Sequence, residues 1–281
     1  MLFFLRKKIE NLLVKLPLTT TFIQMIRYYF GYVVYRIYKI LKIEYIGGYL
    51  FSNQDNFRGR QEIIKMIFEN CSKEKIKILE IGCYCGQTTL MIIKTLIKKN
   101  IDFEIYCVDT WSPFKVSKKK HNFYNTFFLK NLKNGKVFEL FKYNLSCSKM
   151  LDNVKIIKGD SNDILKKIEI KFDYIIIDGN HSYDYVKNDI YYSNKLINNN
   201  GYIIGDDYEA SFAECKHLNF YNNFEEMAKS PEDTIYDEIL KRQIHPGVTL
   251  AVYENYGNIR NKNGVFCVRF ENNNFFDYFK S

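Results

Sequence analysis

The chain has 281 residues, a hydrophobic fraction of 47% and a net charge of +9, values that fit one globular α/β domain with additions. Its seven cysteines are scattered and lack the second Cys/His pair of a zinc finger, which excludes that class of metal domain. The early apolar run is broken by Arg6, Lys7 and Lys8, so we expect no signal peptide and a reducing, cytoplasmic compartment.

Residues 1–48 are predicted to form a basic amphipathic helical extension. A first helix should end at Pro17, and a second should run from about Thr21 to Ile43. The uncharged stretches are shorter than the roughly 20 residues that a membrane span requires. The extension either packs on the main domain or contacts an anionic membrane at its inner face through residues 1–45. The basic residues of this arm are Arg6, Lys7, Lys8, Lys15, Arg27, Arg36, Lys39 and Lys42, against Glu10 and Glu44.

Residues 49–281 are predicted to form the main domain, in which buried strands alternate with helices. Such alternation is typical of a doubly wound, mostly parallel sheet, so the predicted fold class is α/β. Two insertions, 112–150 and 209–245, interrupt the pattern. The second is predicted to cover the acceptor site as a lid, and the alternative is an extra helical hairpin used for dimer contacts. The predicted strands are 76–82, 103–109, 154–160, 172–178 and 201–207, with another in "GVFCVRF"; the predicted helices are 88–98 and 184–197.

Three of these strands end in residues that suit a nucleoside ligand. The first runs into the turn Glu80–Gly86, which does not match the G-x-G-x-x-G pattern of a pyrophosphate cradle. Asp109 closes the second strand, where a carboxylate can accept hydrogen bonds from both ribose hydroxyls. The third strand ends at Asp160 and Ser161, where an adenine edge is within reach. Ligands bind beyond the carboxyl ends of such strands, so these three ends predict one cofactor site.

The segments "ILEIGCYCGQTTL", "IYCVDTW", "IIKGDS", "FDYIIIDGNHSY" and "GYIIGDDY" resemble the class I S-adenosylmethionine-dependent methyltransferases. Within that class the chain is similar to the macrocin-type and aminocoumarin sugar O-methyltransferases, over residues 55–207 and again at "HPGVTLAV". The resemblance implies a seven-stranded sheet in the order 3-2-1-4-5-7-6 and S-adenosylmethionine as cofactor. It implies cofactor contacts from Glu80, Gly82, Cys83, Tyr84, Gly86, Thr88, Asp109, Thr110, Trp111, Asp160, Ser161 and Asp178.

Acidic residues at the next two strand ends predict a metal site. Asp178 follows the fourth strand, and Asp206 and Asp207 follow the fifth. Carboxylates that converge repel one another unless they are neutralised, and an all-oxygen site suits a hard cation such as Mg²⁺. Such an ion can lower the pKa of a substrate hydroxyl. The related sugar and catechol methyltransferases place a metal at the counterparts of these residues. The simpler interpretation is that Asp206 or Asp207 caps a helix.

His181, three residues beyond Asp178, is the predicted general base. An imidazole titrates close to neutral pH, and macrocin-type relatives are thought to use a histidine at this spacing. Asn180 stands where aminocoumarin relatives have an aspartate base. The alternative is a loop histidine that fixes the turn, with Ser182 as the cap of the next helix.

The predicted activity is metal-assisted methyl transfer to a hydroxyl of a sugar, in a glycan, glycolipid or nucleotide-linked precursor, by a homo-oligomer. A phenol or catechol acceptor remains open, as does a catalytically idle protein that binds a membrane or a partner. A nucleic-acid amino methyltransferase is disfavoured, because the Asn/Asp-Pro-Pro-aromatic motif is missing after the fourth strand, where the chain reads Asp-Gly-Asn-His.

Overall fold

A computed structural model describes residues 20–45, 57–71, 73–113, 129–148, 151–217 and 234–280. The chain divides into two compact units. The smaller comprises residues 1–55, 84–87 and 111–151, and the larger comprises residues 56–83, 88–110 and 152–281. The first predicted helix, residues 114–128 of the first insertion and residues 218–233 of the predicted lid lie outside the described residues.

A seven-stranded sheet forms the centre of the larger unit, in the order β3-β2-β1-β4-β5-β8-β9. The five strands β1 to β5 are parallel, and β8 runs antiparallel to β5. Central strands of a doubly wound sheet are buried on both faces, and every residue of β4 is buried. This architecture confirms the predicted fold class. The strands of this sheet are β1 Lys75–Ile81, β2 Asp102–Asp109, β3 Val154–Lys158, β4 Phe172–Ile177, β5 Ile197–Gly205, β8 Phe266–Glu271 and β9 Asn274–Asp277.

The strand order implied by the resemblance is wrong at its last two positions. The edge strand, β9, comes after its neighbour β8 in the sequence. In the implied order the edge strand comes before its neighbour in the sequence. The physical reason is a two-residue turn: Asn272 and Asn273 have φ values of 50° and 64°. Left-handed residues at both turn positions close tight hairpins, and asparagine tolerates them. The hairpin therefore pairs β9 directly with β8.

Helices cover the sheet of the larger unit. The segment "VTLAVYENY", for which no element is predicted from the sequence, lies in helix α7, Pro246–Tyr256. Pro246 stands at the start of this helix, where a backbone N–H would have no partner within the helix, so the N–H that proline lacks is not missed. α7 packs on α6, and Tyr183 of α6 donates a hydrogen bond of 2.6 Å to Glu254 of α7. The helices here are α2 Phe57–Asn70, α3 Gln87–Lys98, α5 Ser161–Ile164, α6 Tyr183–Leu196 and α7 Pro246–Tyr256. A separate hairpin joins β6 Ile235–Asp237 to β7 Arg242–Ile244.

The smaller unit contains α1 Thr20–Ile40 and α4 Lys136–Ser148. Asn144 of α4 accepts a hydrogen bond from the backbone N–H of Tyr45 at 2.9 Å and donates one to the carbonyl of Cys85 at 2.8 Å. The buried side chain of Asn144 thus fixes the residues after α1 and the turn at 84–87 together. Among the described residues, no helix has both the length and the apolar character to cross a bilayer.

The carboxyl edge of the large sheet is held by backbone hydrogen bonds that continue past the strand ends. Gly82 donates to Val108 at 2.9 Å, Asp178 to Ile81 at 2.8 Å, and Asp206 to Ile177 at 3.0 Å. At Gly82, which has a φ of +88°, an added Cβ would lie 2.0 Å from the backbone oxygen of Asp178. Only glycine fits a left-handed position against another backbone in this way.

Gly82→Ala should therefore lower the free energy of unfolding by roughly 2–5 kcal/mol, from left-handed strain and overpacking together. Urea unfolding followed by circular dichroism measures this. Gly179→Ala is the matched control in the adjoining loop, since its Cβ would meet Ile81 and Asp189 at ordinary distances of 3.5 and 3.6 Å. Equal stability of the two variants would contradict the proposed close approach.

Candidate active site at the carboxyl edge

The end of β1 places one predicted cofactor residue, Glu80, in the protein interior. Its carboxylate accepts a hydrogen bond of 2.6 Å from Thr89, and only 1% of the residue is exposed. Burial raises the pKa of Glu80 to about 7. Cys83 is also buried, and its thiol lies 3.4 Å from the carbonyl oxygen of Glu80. Both side chains therefore lie in the core of the larger unit.

The ends of β2 and β3 lie beside each other, as predicted, because Gly159 donates a hydrogen bond of 2.9 Å to the carbonyl of Asp109. Asp109, Thr110 and Ser161 are partly exposed, whereas Thr88 is buried at the start of α3. The carboxylate of Asp160 is engaged within the protein: it caps α5 through the N–H of Asn162 and accepts a hydrogen bond from Tyr185, both at 2.9 Å.

The remaining predicted cofactor residues, Tyr84, Gly86 and Trp111, belong to the smaller unit. The Trp111 indole is buried against Phe138 and Phe141, and its Nε1 donates to the carbonyl of Tyr84 at 2.8 Å. Tyr84 and Trp111 both have positive φ values, of 46° and 43°. Such backbone strain in non-glycine residues is concentrated at functional sites in proteins. The assignment of these residues to cofactor binding stays a prediction.

The ends of β4 and β5 bring acidic side chains together beside one buried cation. Burial, and then the charge of Asp206, raise the pKa of Asp178 well above its usual range. Burial and the charge of Asp207 likewise raise the pKa of Asp206 to about 7. Arg60 of α2 is buried and lowers both values. The charge of Arg60 alone therefore does not neutralise the carboxylates at this edge.

Asp207 differs from its two neighbours because it is paired with His181. Its Oδ2 lies 2.8 Å from Nε2 of His181, and its backbone is left-handed with a φ of +60°. Burial would raise the pKa of Asp207, but the charge and hydrogen bond of His181, aided by His245, hold it well below its usual range. Asp207 is therefore the ionised partner of the predicted base. Ser182 occupies the N-cap position of α6 without a side-chain capping bond.

Sequence reasoning missed a second histidine at this edge. His245 caps α7, and its ring centroid lies 4.8 Å from that of His181. Glu209 holds it in place, with Oε1 at 2.9 Å from Nδ1 and Oε2 accepting from the backbone N–H at 3.2 Å. A Cβ on Gly247 would lie 2.6 Å from the carbonyl oxygen of His181, so glycine permits α7 to approach this loop. The "HPG" triplet was the signal that could have found the site.

Two sets of three side chains in the described part of the chain place potential metal ligands within 4.8 Å of one another. They are Glu80 with Cys83 and Cys107, and His181 with Asp207 and His245. The predicted trio of Asp178, Asp206 and Asp207 is not such a set, although these residues act on one another's pKa. Its donors are all oxygens, which suits the hard cation predicted for it.

Comparison with known proteins agrees with this architecture. Residues 79–208 match the model of a family described as a methyltransferase domain. This span contains the carboxyl ends of strands β1 to β5. Those residues form an S-adenosylmethionine-dependent methyltransferase domain. A search of curated protein sequences gives no match.

Solved structures resemble the chain at low identity. A Podospora anserina methyltransferase bound to S-adenosylhomocysteine is 18% identical, with a TM-score of 0.44, covering 76% of this chain and 78% of its own. The O-methyltransferase NovP is 17% identical, with a TM-score of 0.41, covering 60% and 73%. The O-methyltransferase TomG from Streptomyces achromogenes, solved with S-adenosylmethionine, is 11% identical, with a TM-score of 0.38, covering 61% and 62%. These values are too low to carry acceptor chemistry to this chain.

Asp109→Ala should raise the dissociation constant for S-adenosylhomocysteine at least about tenfold. A hydrogen bond to a charged group contributes about 1.5–3 kcal/mol, and 1.4 kcal/mol is a factor of ten in affinity. Isothermal titration calorimetry measures this. Asp102→Asn, at the exposed opposite end of β2, is the control and should bind like the wild type. Unchanged affinity of the Asp109 variant would remove Asp109 from the ribose site.

Proposed function

We propose that this methyltransferase acts on a hydroxyl oxygen, with His181 as general base and a divalent cation, Mg²⁺ first, at Asp178, Asp206 and Asp207. The observation that carries this proposal is the pair of His181 and Asp207, 2.8 Å apart, beside Asp178 and Asp206. A carboxylate partner fixes the orientation of an imidazole and stabilises its protonated form. Removal of a hydroxyl proton is the task that such a pair performs.

The cation is proposed because the charge at this edge is incompletely compensated. Burial and mutual repulsion leave Asp178 and Asp206 with raised pKa values in spite of Arg60. A bound divalent ion would supply positive charge and polarise the acceptor hydroxyl. In the protein itself, Arg60 lowers the repulsion, Asp207 orients His181, and His181 receives the proton.

A sugar acceptor is supported by the polar groups around His181. Asp207, Glu209 and His245 can hydrogen-bond the hydroxyls of a polyol. Phe212, the described aromatic residue at the start of the second insertion, is stacked on Tyr253 at 4.2 Å and 10°. This ring packs against α7. The polar groups around His181 favour a sugar in a glycan, glycolipid or nucleotide-linked precursor over a phenol.

Methyl transfer should require both the cation and His181. Radiolabelled S-adenosylmethionine is incubated with nucleotide sugars, cell-envelope glycan fractions and catechol, with EDTA or with restored Mg²⁺. EDTA should abolish transfer and Mg²⁺ should restore it. His181→Ala should slow transfer about a hundredfold or more, the usual scale for a general base, while calorimetry still shows cofactor binding.

Asp102→Asn, at the exposed opposite end of β2, is the control for loss of an ionisable side chain outside the cluster. Full methyl transfer in EDTA would refute the proposed requirement for a cation. An unchanged rate and pH profile in His181→Ala would show that His181 has a structural role and is not the base. Labelling of catechol alone would replace the sugar with a phenol. Absence of transfer to every acceptor, with cofactor still bound, would favour the idle binding protein.

A second proposal concerns where the protein acts: α1 contacts an anionic membrane surface. An apolar stripe runs along α1 and is 41–79% exposed at each residue. Tyr29, Val33 and Ile37 recur every four residues, with Ile40 beside them, and Leu41 follows directly after the helix. Gly31, Val34 and Tyr38 on the other face are buried. An uncovered apolar stripe beside basic side chains is typical of a helix lying in a membrane interface. The basic side chains are Arg36, Lys39 and Lys42.

Replacing Val33 and Ile37 by serine should lower the fraction of protein that sediments with phosphatidylserine vesicles. Higher salt should lower it further in the wild type, because surface attraction is screened. Phe68→Ser changes an apolar residue of α2 that is 40% exposed and should have no effect. Equal sedimentation of all three proteins would refute membrane contact, and a concentration-dependent dimer lost in the double variant would assign the stripe to a second copy.

A further inference from the structure

One cluster among the described residues combines two kinds of metal ligand and is partly exposed. It consists of the imidazoles of His181 and His245 and the carboxylate of Asp207. Their ligand atoms lie within 4.8 Å of one another, and Oδ2 of Asp207 lies 2.8 Å from Nε2 of His181. The side chains of His181, Asp207 and His245 are 30%, 19% and 13% exposed, in that order. The cluster is thus partly exposed, although Nε2 of His181 itself is buried.

The chemistry of this set differs from that of the acidic trio. Two imidazoles and one carboxylate suit borderline first-row ions such as Zn²⁺ and Co²⁺, whereas a set of carboxylates alone suits Mg²⁺. The chain has four histidines, and two of them meet at one carboxylate. Glu209 contacts Nδ1 of His245 at 2.9 Å, which leaves Nε2 as the nitrogen of this imidazole for a metal. A carboxylate on the other ring nitrogen is the usual outer contact of a metal-binding imidazole.

The other cluster with suitable atoms, Glu80 with Cys83 and Cys107, lacks these properties. All three residues are 4% exposed or less, and burial raises the pKa of both thiols. A metal would need to enter the core and displace these protons. The Glu80 cluster is therefore packing, and the imidazole cluster is the candidate for a metal.

We propose that His181, Asp207 and His245 bind a borderline divalent cation, for which Zn²⁺ and Co²⁺ are the probes, and that Glu209 orients His245 toward it. This site differs from the proposed Mg²⁺ site in ion preference and in two of its three ligands, and the two sites share Asp207. A bound ion takes the nitrogen lone pair with which His181 would otherwise accept a proton. As a consequence that rests on the proposed function, the ion occupies the base and inhibits methyl transfer.

The test begins with metal binding alone, which needs neither cofactor nor acceptor. Full-length, metal-stripped protein in excess Mg²⁺ is titrated with Co²⁺, followed by visible absorption, and Zn²⁺ is then added as competitor. The wild type should bind one Co²⁺ and release it to Zn²⁺. His245→Ala should weaken binding at least tenfold, and Glu209→Gln about 10–100-fold, the range for an outer carboxylate. Asp102→Asn, at the exposed opposite end of β2, should bind like the wild type.

Because His245 occupies the N-cap position of α7 and is held by Glu209, each variant is checked by circular dichroism. His181→Ala supplies a second removal of a ligand should His245→Ala not fold. Absence of saturable Co²⁺ binding in the wild type, or equal binding in the folded ligand variants, would overturn the site. Inhibition is measured separately: Zn²⁺ should inhibit the wild type at concentrations that match binding. Co²⁺ binding without any methyl transfer would refute the proposed function alone, and transfer without Co²⁺ binding would refute the metal site alone.

Discussion

The concentration of negative charge at the ends of β4 and β5 is the constraint on which the rest of the site depends. Asp178 and Asp206 are fixed there by backbone hydrogen bonds that extend the sheet, so repulsion cannot be relieved by moving the chain. Two means of relief remain: a nearby cation or protonation. Arg60 provides part of the positive charge. The pKa values of Asp178 and Asp206 stay raised in its presence, so protonation of these carboxylates remains favoured.

The pKa of Asp207 is lowered, not raised, because His181 and His245 lie beside it. The local fold brings both histidines to this carboxylate. His181 comes from the loop after β4, and His245 comes from the start of α7. α7 reaches the loop because Gly247 has no Cβ to meet the carbonyl of His181. Glu209 and His245 also join the two ends of the second insertion, and Thr249 donates to the carbonyl of Ala210 at 3.0 Å. The base of the insertion is therefore anchored at the proposed acceptor site.

The parts of this structure that could be predicted from sequence are those set by local patterns. Continuous apolar runs in β1 and β4 predicted buried parallel strands, and topology then placed Asp109, Asp178 and Asp206 at one edge. The order of the last two strands was missed because it depends on the turn at Asn272–Asn273, where the resemblance implied another connection. His245 and Arg60 were missed because their importance arises from helix packing across long sequence separations. The buried orientation of Glu80 depends on its partner Thr89 for the same reason.

The sharing of Asp207 sets limits on what this edge can do at one time. A carboxylate that stabilises protonated His181 must keep its charge directed at the imidazole, and a hard cation at Asp178 and Asp206 draws on the same charge. A borderline ion held by the two imidazoles would remove the base from the reaction altogether. The proposed reaction is therefore compatible with a hard cation, which leaves the imidazoles to protons, and is incompatible with an ion that prefers nitrogen. Discrimination between cations at this edge is accordingly part of the proposed catalytic function.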